Sequence, residues 1–378
     1  MTALFSPLSI RGLTLKNRVV ISPMCQHSAE YGTPGAWHLV HLGKFALGGA
    51  GLIFVESTAV TPTARIGSRD VGLWGDEHIA PFRTITDFVH SQGAAIGVQL
   101  AHAGRKAGSQ ALWEGGRAFT PEELAATCEP WRRIGPSAIA AGAAWSVPEA
   151  MTQADIDEAI GQFVAAAQRA DKAGFDVVEL HFGHGYLIAS FLSPLANQRN
   201  DAYGGSLDNR MRLAVDTAKA VRAVWPADKP LFVRISAVDG ADGSWSLDDS
   251  VILARALKAV GVDVIDCSSG GLAEETRQAN VPRGLGFQVP FADRIRRDAG
   301  VMTQAVGVIL DGPQAEAILA EGKADLVAIG RQALADPYWA LHAAQDMGLD
   351  AGFALWPQQH GPWLAKRASL LSQLAVRP

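Results

Sequence analysis

Eight short apolar runs, most of them followed by a stretch of helical period, constrain the fold of this chain more than any other feature. They are 18-RVVISPM, 52-LIFVES, 95-AIGVQL, 176-DVVEL, 231-LFVRIS, 263-DVIDCSS, 302-MTQAVG and 325-DLVAIG. Runs that are apolar throughout, rather than alternating, predict strands buried on both faces, as in a parallel sheet. Helical stretches lie between them. One is 153-QADIDEAIGQFVAAAQRADKAG, with Thr152 as N-cap and Gly174 as stop. Others are 207-LDNRMRLAVDTAKAVRAVW and 313-PQAEAILAEG, the latter with proline at its start and Gly322 at its end. Strand and helix alternating eight times predict an α/β fold, a closed (β/α)8 barrel. An open doubly wound sheet is the competing arrangement, but no GxGxxG follows the first strand.

The 378 residues, 48% of them hydrophobic, are enough for such a barrel as a single domain over 1–378. Two stretches fall outside the repeat. Residues 104–150, after the third strand, are rich in Gly, Pro and Trp (Trp113, Trp131, Trp145), which predicts a packed functional excursion. The tail, 350–378, holds Trp356 and Trp363 around a proline and a histidine, and is expected to cover a site or dock on a partner chain. A net charge of −5, spread along the chain, speaks against nucleic acid or a membrane surface as partner. No apolar run reaches the roughly 18 residues of a membrane span. The N-terminal stretch does not read as a signal peptide, and the three cysteines (Cys25, Cys128, Cys267) form neither a CxxC pair nor an even framework. The expected setting is the cytoplasm.

In a barrel of this kind the chemistry sits at the C-terminal strand ends. Those ends carry Ser22-Pro23-Met24-Cys25, then Glu56 to Ala59, then Gln99 with His102 and Arg105. They continue with Glu179, His181 and His184, then Arg234, Ser268 to Gly271, Gly307, and Gly330-Arg331. Gly307 allows close backbone approach, and Gly330-Arg331 adds a cation at strand eight. Together they predict a phosphate site, against the plainer reading of tight turns. The pair His181 and His184, in 181-HFGHGYL, raises the question of a metal. Glu179 shares the inward parity of His181, but the other strand ends offer Gln99, Arg234, serines and glycines rather than ligands, so no metal site is expected. Core histidines are a second reading. A third is that two neutral imidazoles aim N–H groups at one oxygen while the phenol of Tyr186 supplies a proton. Cys25 reads either as a small buried hydrophobe or as a nucleophile or tuning group.

The segments SPMCQ (22–26), QLAHAGRKA (99–107), HFGHGYL (181–187), FLSPLANQRNDAYGGSLDNRMR (191–212) and AVGVILD…ADLVAIGRQALADP (305–337) resemble the Old Yellow Enzyme family of flavoprotein ene-reductases. The cysteine after SPM resembles the bacterial branch of xenobiotic reductases and NADPH dehydrogenases. The resemblance implies a TIM barrel with non-covalent FMN and NADPH or NADH as reductant. It places the phosphate on Gly307, Gly330 and Arg331, Gln99 at the pyrimidine edge, and the Ala59 N–H on a flavin carbonyl. Ser22, Pro23 and Met24 would line the ring, Arg234 would lie beside its electron-accepting end, and Cys25 would tune its potential. Ser269 and Gly270 would follow the ribityl chain. His181 and His184 would hold the oxygen of an activated alkene or nitro compound, and Tyr186 would protonate the α-carbon in a ping-pong cycle.

Three positions depart from that branch. His27 stands where tyrosine is usual, so substrate binding is expected to vary with pH. Phe182-Gly183 stands where small residues such as alanine are usual, and Phe182, counted among the substrate contacts, either narrows the pocket or packs behind the strand. His360 lies near an expected tyrosine. Trp363 matches a position near the active site, one that reaches a neighbouring subunit in a homodimer or higher homo-oligomer. The alternative is a metal-dependent or Schiff-base lyase acting on a phosphorylated substrate, and a third is a binding protein on a decayed enzyme fold. The set Gln99, His181, His184, Tyr186, Arg234 and Arg331 speaks against the last.

Overall fold

The computed structural model describes residues 2–127, 131–272 and 281–375, and Cys128 lies outside them. Eight parallel strands close into a barrel: β1 (Val19–Ile21), β2 (Leu52–Ala59), β3 (Ala95–Ala101), β4 (Val177–Phe182), β5 (Leu231–Ser236), β6 (Val264–Ser268), β7 (Met302–Val306) and β8 (Leu326–Ile329), with β8 pairing back onto β1. Each starts within one of the eight apolar runs, and β2, β3 and β4 extend one or two residues beyond theirs, because a strand covered on both faces is mainly apolar. The surrounding helices are α1 (Ala36–Leu47), α2 (Ile79–Ser91), α3 (Gln153–Lys172), α4 (Leu207–Val224), α5 (Leu247–Ala259), α6 (Val289–Ala299), α7 (Gly312–Ala320) and α8 (Trp339–Asp346). Thr152 starts α3 by accepting the Asp155 N–H, and the Asp155 carboxylate returns a bond to the Thr152 N–H at 2.8 Å.

Two apolar layers hold the barrel. The larger lies outside the strands, where Phe45, Phe82, Phe163, Phe175, Phe182 and Phe191 fill the space beneath the helices. The smaller closes the floor of the barrel with Val20, Leu52, Phe54, Val177, Phe232, Val264 and Leu326. A hairpin of two three-residue strands, Leu8–Ile10 and Leu13–Leu15, plugs that floor with Ile10 and Leu15. Its turn residue Arg11 has φ 53°, and the turn is held by the Arg11 Nε bond to Asp263 (2.7 Å) and the Gly12 N–H bond to the Asp228 carbonyl (2.8 Å). The floor is dry, so whatever the barrel binds enters at the other end.

In the 104–150 excursion Trp113 is exposed and Trp131 is half-buried. The Arg65 guanidinium lies 5.0 Å from the Trp131 ring, and Arg133 reaches the carbonyls of Ala107, Gly108 and Phe119. In the tail, Trp356 stacks on Tyr338 with centroids 5.3 Å apart, and a helix runs over Gly361–Ala375. No helix among the described residues is long and apolar enough to cross a membrane.

Candidate active site

Each strand climbs from apolar at the floor to polar at the top, two residues per step. Above the floor stands a layer of Gln99, Glu179, Arg234, Asp266 and Gln304, all buried. Gln99 Nε2 donates to Glu179 Oε1 (2.8 Å), and Arg234 Nε lies 3.4 Å from Asp266 Oδ2. Burial first, then the neighbouring carboxylate, pushes Glu179 well above the usual carboxylate range. Burial also raises Asp266, against the pull of Arg234. Folding thus favours the protonated form of both carboxyls, and Arg234 is the cation beside them. Arg234 also reaches up, donating to Ser22 Oγ at 3.0 Å.

The next step up carries His181, Ser236 and Ser268. His181 Nε2 and His184 Nδ1 face each other at 3.1 Å, with ring centroids 4.9 Å apart. The Gly183 N–H points at His181 Nδ1 (3.3 Å), which leaves Nε2 to carry the ring proton and donate it to His184 Nδ1, so the His184 proton lies on Nε2, 2.7 Å from Ser268 Oγ. Burial pulls both imidazoles down, His184 to about 3, and the cations Arg234 and Lys106 add to the effect. Both are neutral at working pH. The backbone beneath them is tight. His184 sits at φ 58°, its N–H donates to Ser236 Oγ (2.8 Å), and its carbonyl accepts from Lys106 Nζ (2.9 Å). A Cβ at Gly185 would come within 2.4 Å of the Gly271 carbonyl oxygen, so the β4 and β6 loops meet only because this residue is glycine. The Tyr186 ring lies 5.2 Å from His181, and Lys106 Nζ is 5.8 Å from the Tyr186 centroid.

A cavity of about 1250 Å³ opens beside His184 over the ends of β1 and β5 to β8. Ser22, Pro23, Met24, Arg234, Ser269, Gly270, Gly307, Gly330 and Arg331, nine of the positions predicted for the cofactor, form part of its wall. A Cβ at Gly330 would meet nothing nearer than Met24 Sδ and Ser22 Cβ, both at 3.9 Å, so a side chain there would occupy cavity space. Sequence reasoning missed Arg283 and Gln288, which enter the wall from the loop before α6 and carry no periodic signal. Ser268 was legible only as an inward-facing residue two places after Asp266.

On the β1 and β2 side, His27 Nδ1 pairs with Asp70 Oδ1 at 2.6 Å, and Trp113 lies edge-on to the His27 ring. Burial opposes protonation of His27, but the Asp70 contact and the charges of Asp70 and Glu56 outweigh it, so His27 is raised above 6.5. Cys25 is a free thiol. Burial, then the charges of Asp70 and Glu56, push it well above its ordinary value, which removes the nucleophile reading and leaves a neutral thiol.

Two expectations are corrected. The Ala59 N–H donates to the Val71 carbonyl at 2.9 Å, so it is not available to a cofactor. Phe182 is fully buried in the outer apolar layer, the direction opposite to inward-facing His181, and is not a substrate contact. Trp363 is 71% exposed on the C-terminal helix, with Lys366 Nζ 4.8 Å from its ring centroid, and does not line the cavity of its own chain. Among the described residues no three His, Cys, Asp or Glu side chains converge in a metal-ligating cluster.

A cleft whose wall carries Arg234, Arg283 and Arg331 together with Gly270, Gly307 and Gly330 offers the cations and close backbone approach that a phosphorylated flavin needs. Fold and site together define a flavin-dependent oxidoreductase barrel. Residues 3–350 match the family described as NADH:flavin oxidoreductase / NADH oxidase. The chain belongs to that family, in its Old Yellow Enzyme group, with FMN as cofactor and NAD(P)H as reductant. It is similar to the NADPH dehydrogenase of Geobacillus thermodenitrificans strain NG80-2, 46% identical over 350 residues, covering 92% of this chain and 95% of that one. It is also similar to the NADPH dehydrogenase of Halalkalibacterium halodurans, 45% identical over 347 residues, covering 91% and 95%. Among solved structures, morphinone reductase in complex with tetrahydroNAD superposes with a TM-score of 0.74 at 27% identity, covering 92% of each chain. TcOYE with pHBA superposes with a TM-score of 0.75 at 26% identity, covering 91% of this chain and 92% of that one.

Proposed function

We propose that this oxidoreductase is an ene-reductase that saturates activated alkenes such as enones, maleimides and nitroalkenes in a ping-pong cycle, and also accepts nitro compounds. The observation that carries the reading is the facing pair of neutral imidazole nitrogens, 3.1 Å apart, beside the cavity. When bound, FMN supplies hydride transfer, taking a hydride from NAD(P)H and passing it to the β-carbon of the alkene. The residues of the chain do the rest. An entering carbonyl or nitro oxygen takes the place of the His181–His184 bond and accepts an N–H from each imidazole, His184 in its Nδ1–H form, and those bonds strengthen as negative charge builds there. A lone neutral oxygen gains little from the pair, while an enolate-like oxygen gains charge-assisted bonds. Tyr186 then gives its phenolic proton to the α-carbon, and the Lys106 cation over its ring favours the phenolate left behind. The neutral Cys25 thiol and the Arg234 cation set the polarity of the flavin site. His27, which pairs with Asp70, contacts the far side of the substrate.

Deuterium tests this assignment. NADPH deuterated at the transferred position is expected to label the β-carbon of the saturated product, and D2O the α-carbon. Label at the α-carbon from NADPH would reverse the roles of cofactor and Tyr186. A second test concerns His27. Its protonation changes above 6.5, so the affinity for 2-cyclohexenone is expected to change with a midpoint above that value, and Asp70→Asn is expected to move the midpoint down. A dissociation constant that is flat with pH removes His27 from the substrate site. Third, Gly330→Val puts its side chain into the cavity, where its Cβ has room. FMN affinity should fall by on the order of 100-fold, the effect of about 3 kcal/mol of overpacking. Normal flavin content in that variant would place the phosphate elsewhere. The exposed Trp363 and the tail helix that carries it are proposed to dock on a second copy of the chain.

A further inference from the structure

Two buried carboxyls inside the barrel have no part in the chemistry above. Glu179 and Asp266 stand in one layer with Arg234, flanked by Gln99 and Gln304. The two carboxyls are in hydrogen-bonding contact with each other. Two carboxylates have no hydrogen to share, so that contact needs a proton. A buried guanidinium in turn needs a counter-charge, and Arg234 Nε lies 3.4 Å from Asp266 Oδ2. One proton on the pair meets both demands. The two carboxyls then carry a single negative charge, and Arg234 neutralises it. The other titratable groups that face this cluster are His181 and His184 above it and the Cys267 thiol on β6. Burial keeps all three neutral, so none of them supplies a further charge.

Arg234 also forms part of the cavity wall and donates to Ser22 Oγ at 3.0 Å. A hydride from NAD(P)H brings one negative charge to the flavin ring. With Arg234 beside the ring, that charge is a second counter-charge to the same guanidinium, and the layer beneath then holds one negative charge too many. In a buried site the least costly correction is a proton. We propose that Glu179 and Asp266 form a redox-linked proton store: the pair holds one proton in the oxidised enzyme, takes a second from solvent when the flavin is reduced, and returns it when the flavin is reoxidised. This rests on the placement of Arg234 beside the flavin. The step balances. NAD(P)H loses a hydride to the flavin and becomes NAD(P)+, and a solvent proton forms an O–H bond on the remaining carboxylate. The burial that already favours the protonated form of both groups lowers the cost of that bond. Neither carboxyl touches substrate. Both are positioning residues that act through Arg234 on how readily the flavin takes up electrons.

The test counts protons. Flavin-loaded enzyme is reduced by one equivalent of NADPH without oxygen, near neutral pH, in weakly buffered solution with an indicator dye. Hydride transfer alone consumes no solvent proton, whereas the store is expected to take up about one per flavin. The flavin potential is expected to fall by about 60 mV per pH unit rather than about 30, since each proton that accompanies two electrons contributes about 30 mV. Glu179→Gln and Asp266→Asn each leave one carboxyl and are expected to keep the uptake. The two substitutions together are expected to abolish it and to raise the potential, because Arg234 then faces the flavin without a carboxylate. Infrared difference spectra of the wild type, reduced minus oxidised, need no variant. A carboxylic-acid band is expected to appear on reduction and to shift when aspartate or glutamate is 13C-labelled at the side-chain carboxyl. No uptake in the wild type, no such band, or an uptake that survives in the double variant overturns the proton store. A raised potential in the double variant would in that case leave Arg234 beside the flavin, and a potential that does not move overturns that placement as well.

Discussion

Replacing His181 and His184 together by alanine is expected to lower kcat/KM for 2-cyclohexenone by about a thousandfold or more, while NADPH still bleaches the bound flavin. Each N–H aimed at a developing oxyanion is worth roughly a hundred- to a thousandfold in rate. Two that act on one oxygen are not additive, so the double variant need not exceed the stronger single one by much. The selectivity is the informative part. The imidazoles stabilise charge on a substrate oxygen, and the hydride donor presents no such oxygen at the reacting carbon. Both rings are neutral, His184 because burial and the cations Arg234 and Lys106 hold it at about 3. The wild-type rate is therefore expected to show no titration of this pair between mildly acid and mildly basic pH. Steady-state alkene reduction and rapid-mixing flavin bleaching, measured on both proteins, separate the two steps.

Arg234→Met is expected to produce the largest loss of stability, about 3 kcal/mol, the scale of a buried ion pair broken from one side. Arg234 is the cation that balances the Glu179 and Asp266 carboxyls inside the barrel. Both carboxyls bind protons more tightly in the folded chain than in the unfolded one. Their contribution to stability is therefore fullest below the ordinary carboxylate values of about 4, and it is lost as pH rises through their raised values. Without the guanidinium the folded chain must take up or retain a further proton, which costs more at higher pH. The deficit is expected to widen from roughly pH 6 to pH 8. Adding Asp266→Asn to Arg234→Met should recover a large part of it, because the remaining carboxyl then has an amide neighbour. Urea denaturation of the three proteins at both pH values checks this. A deficit that does not change with pH would mean that the carboxyls carry no shared proton.

Most of the barrel was legible because its signal is local. A strand covered on both faces is mainly apolar, and all eight runs are, with the inward polar residues Glu179, Arg234, Asp266 and Gln304 set among them. The plug at the floor was not legible, since two strands of three residues are too short for any period to register. The site divides in the same way. His181 stands at the end of β4, and His184 and Tyr186 follow on its loop, so spacing alone brings them together. Parity alone could have sent Phe182 outward, since its neighbour His181 faces in. Ala59 could not have been corrected from sequence. A bulge between Val55 and Ser57 shifts the register of β2, and the Ala59 N–H is taken by Val71, a residue from a separate loop. The pairing of His27 with Asp70 and of His184 with Ser268 likewise joins loops far apart in the chain, and only the closed barrel brings them within reach.

The central claim is that one cavity serves two separate half-reactions, the second governed by the histidine pair. The most direct measurement mixes the purified flavin-loaded enzyme with one equivalent of NADPH under strict exclusion of oxygen, then with 2-cyclohexenone, and follows the yellow flavin absorption. The account predicts bleaching by NADPH, return of the colour with the enone, and one equivalent of cyclohexanone formed. Bleaching without any return of colour on adding the enone, or a nitroalkene in its place, would contradict it.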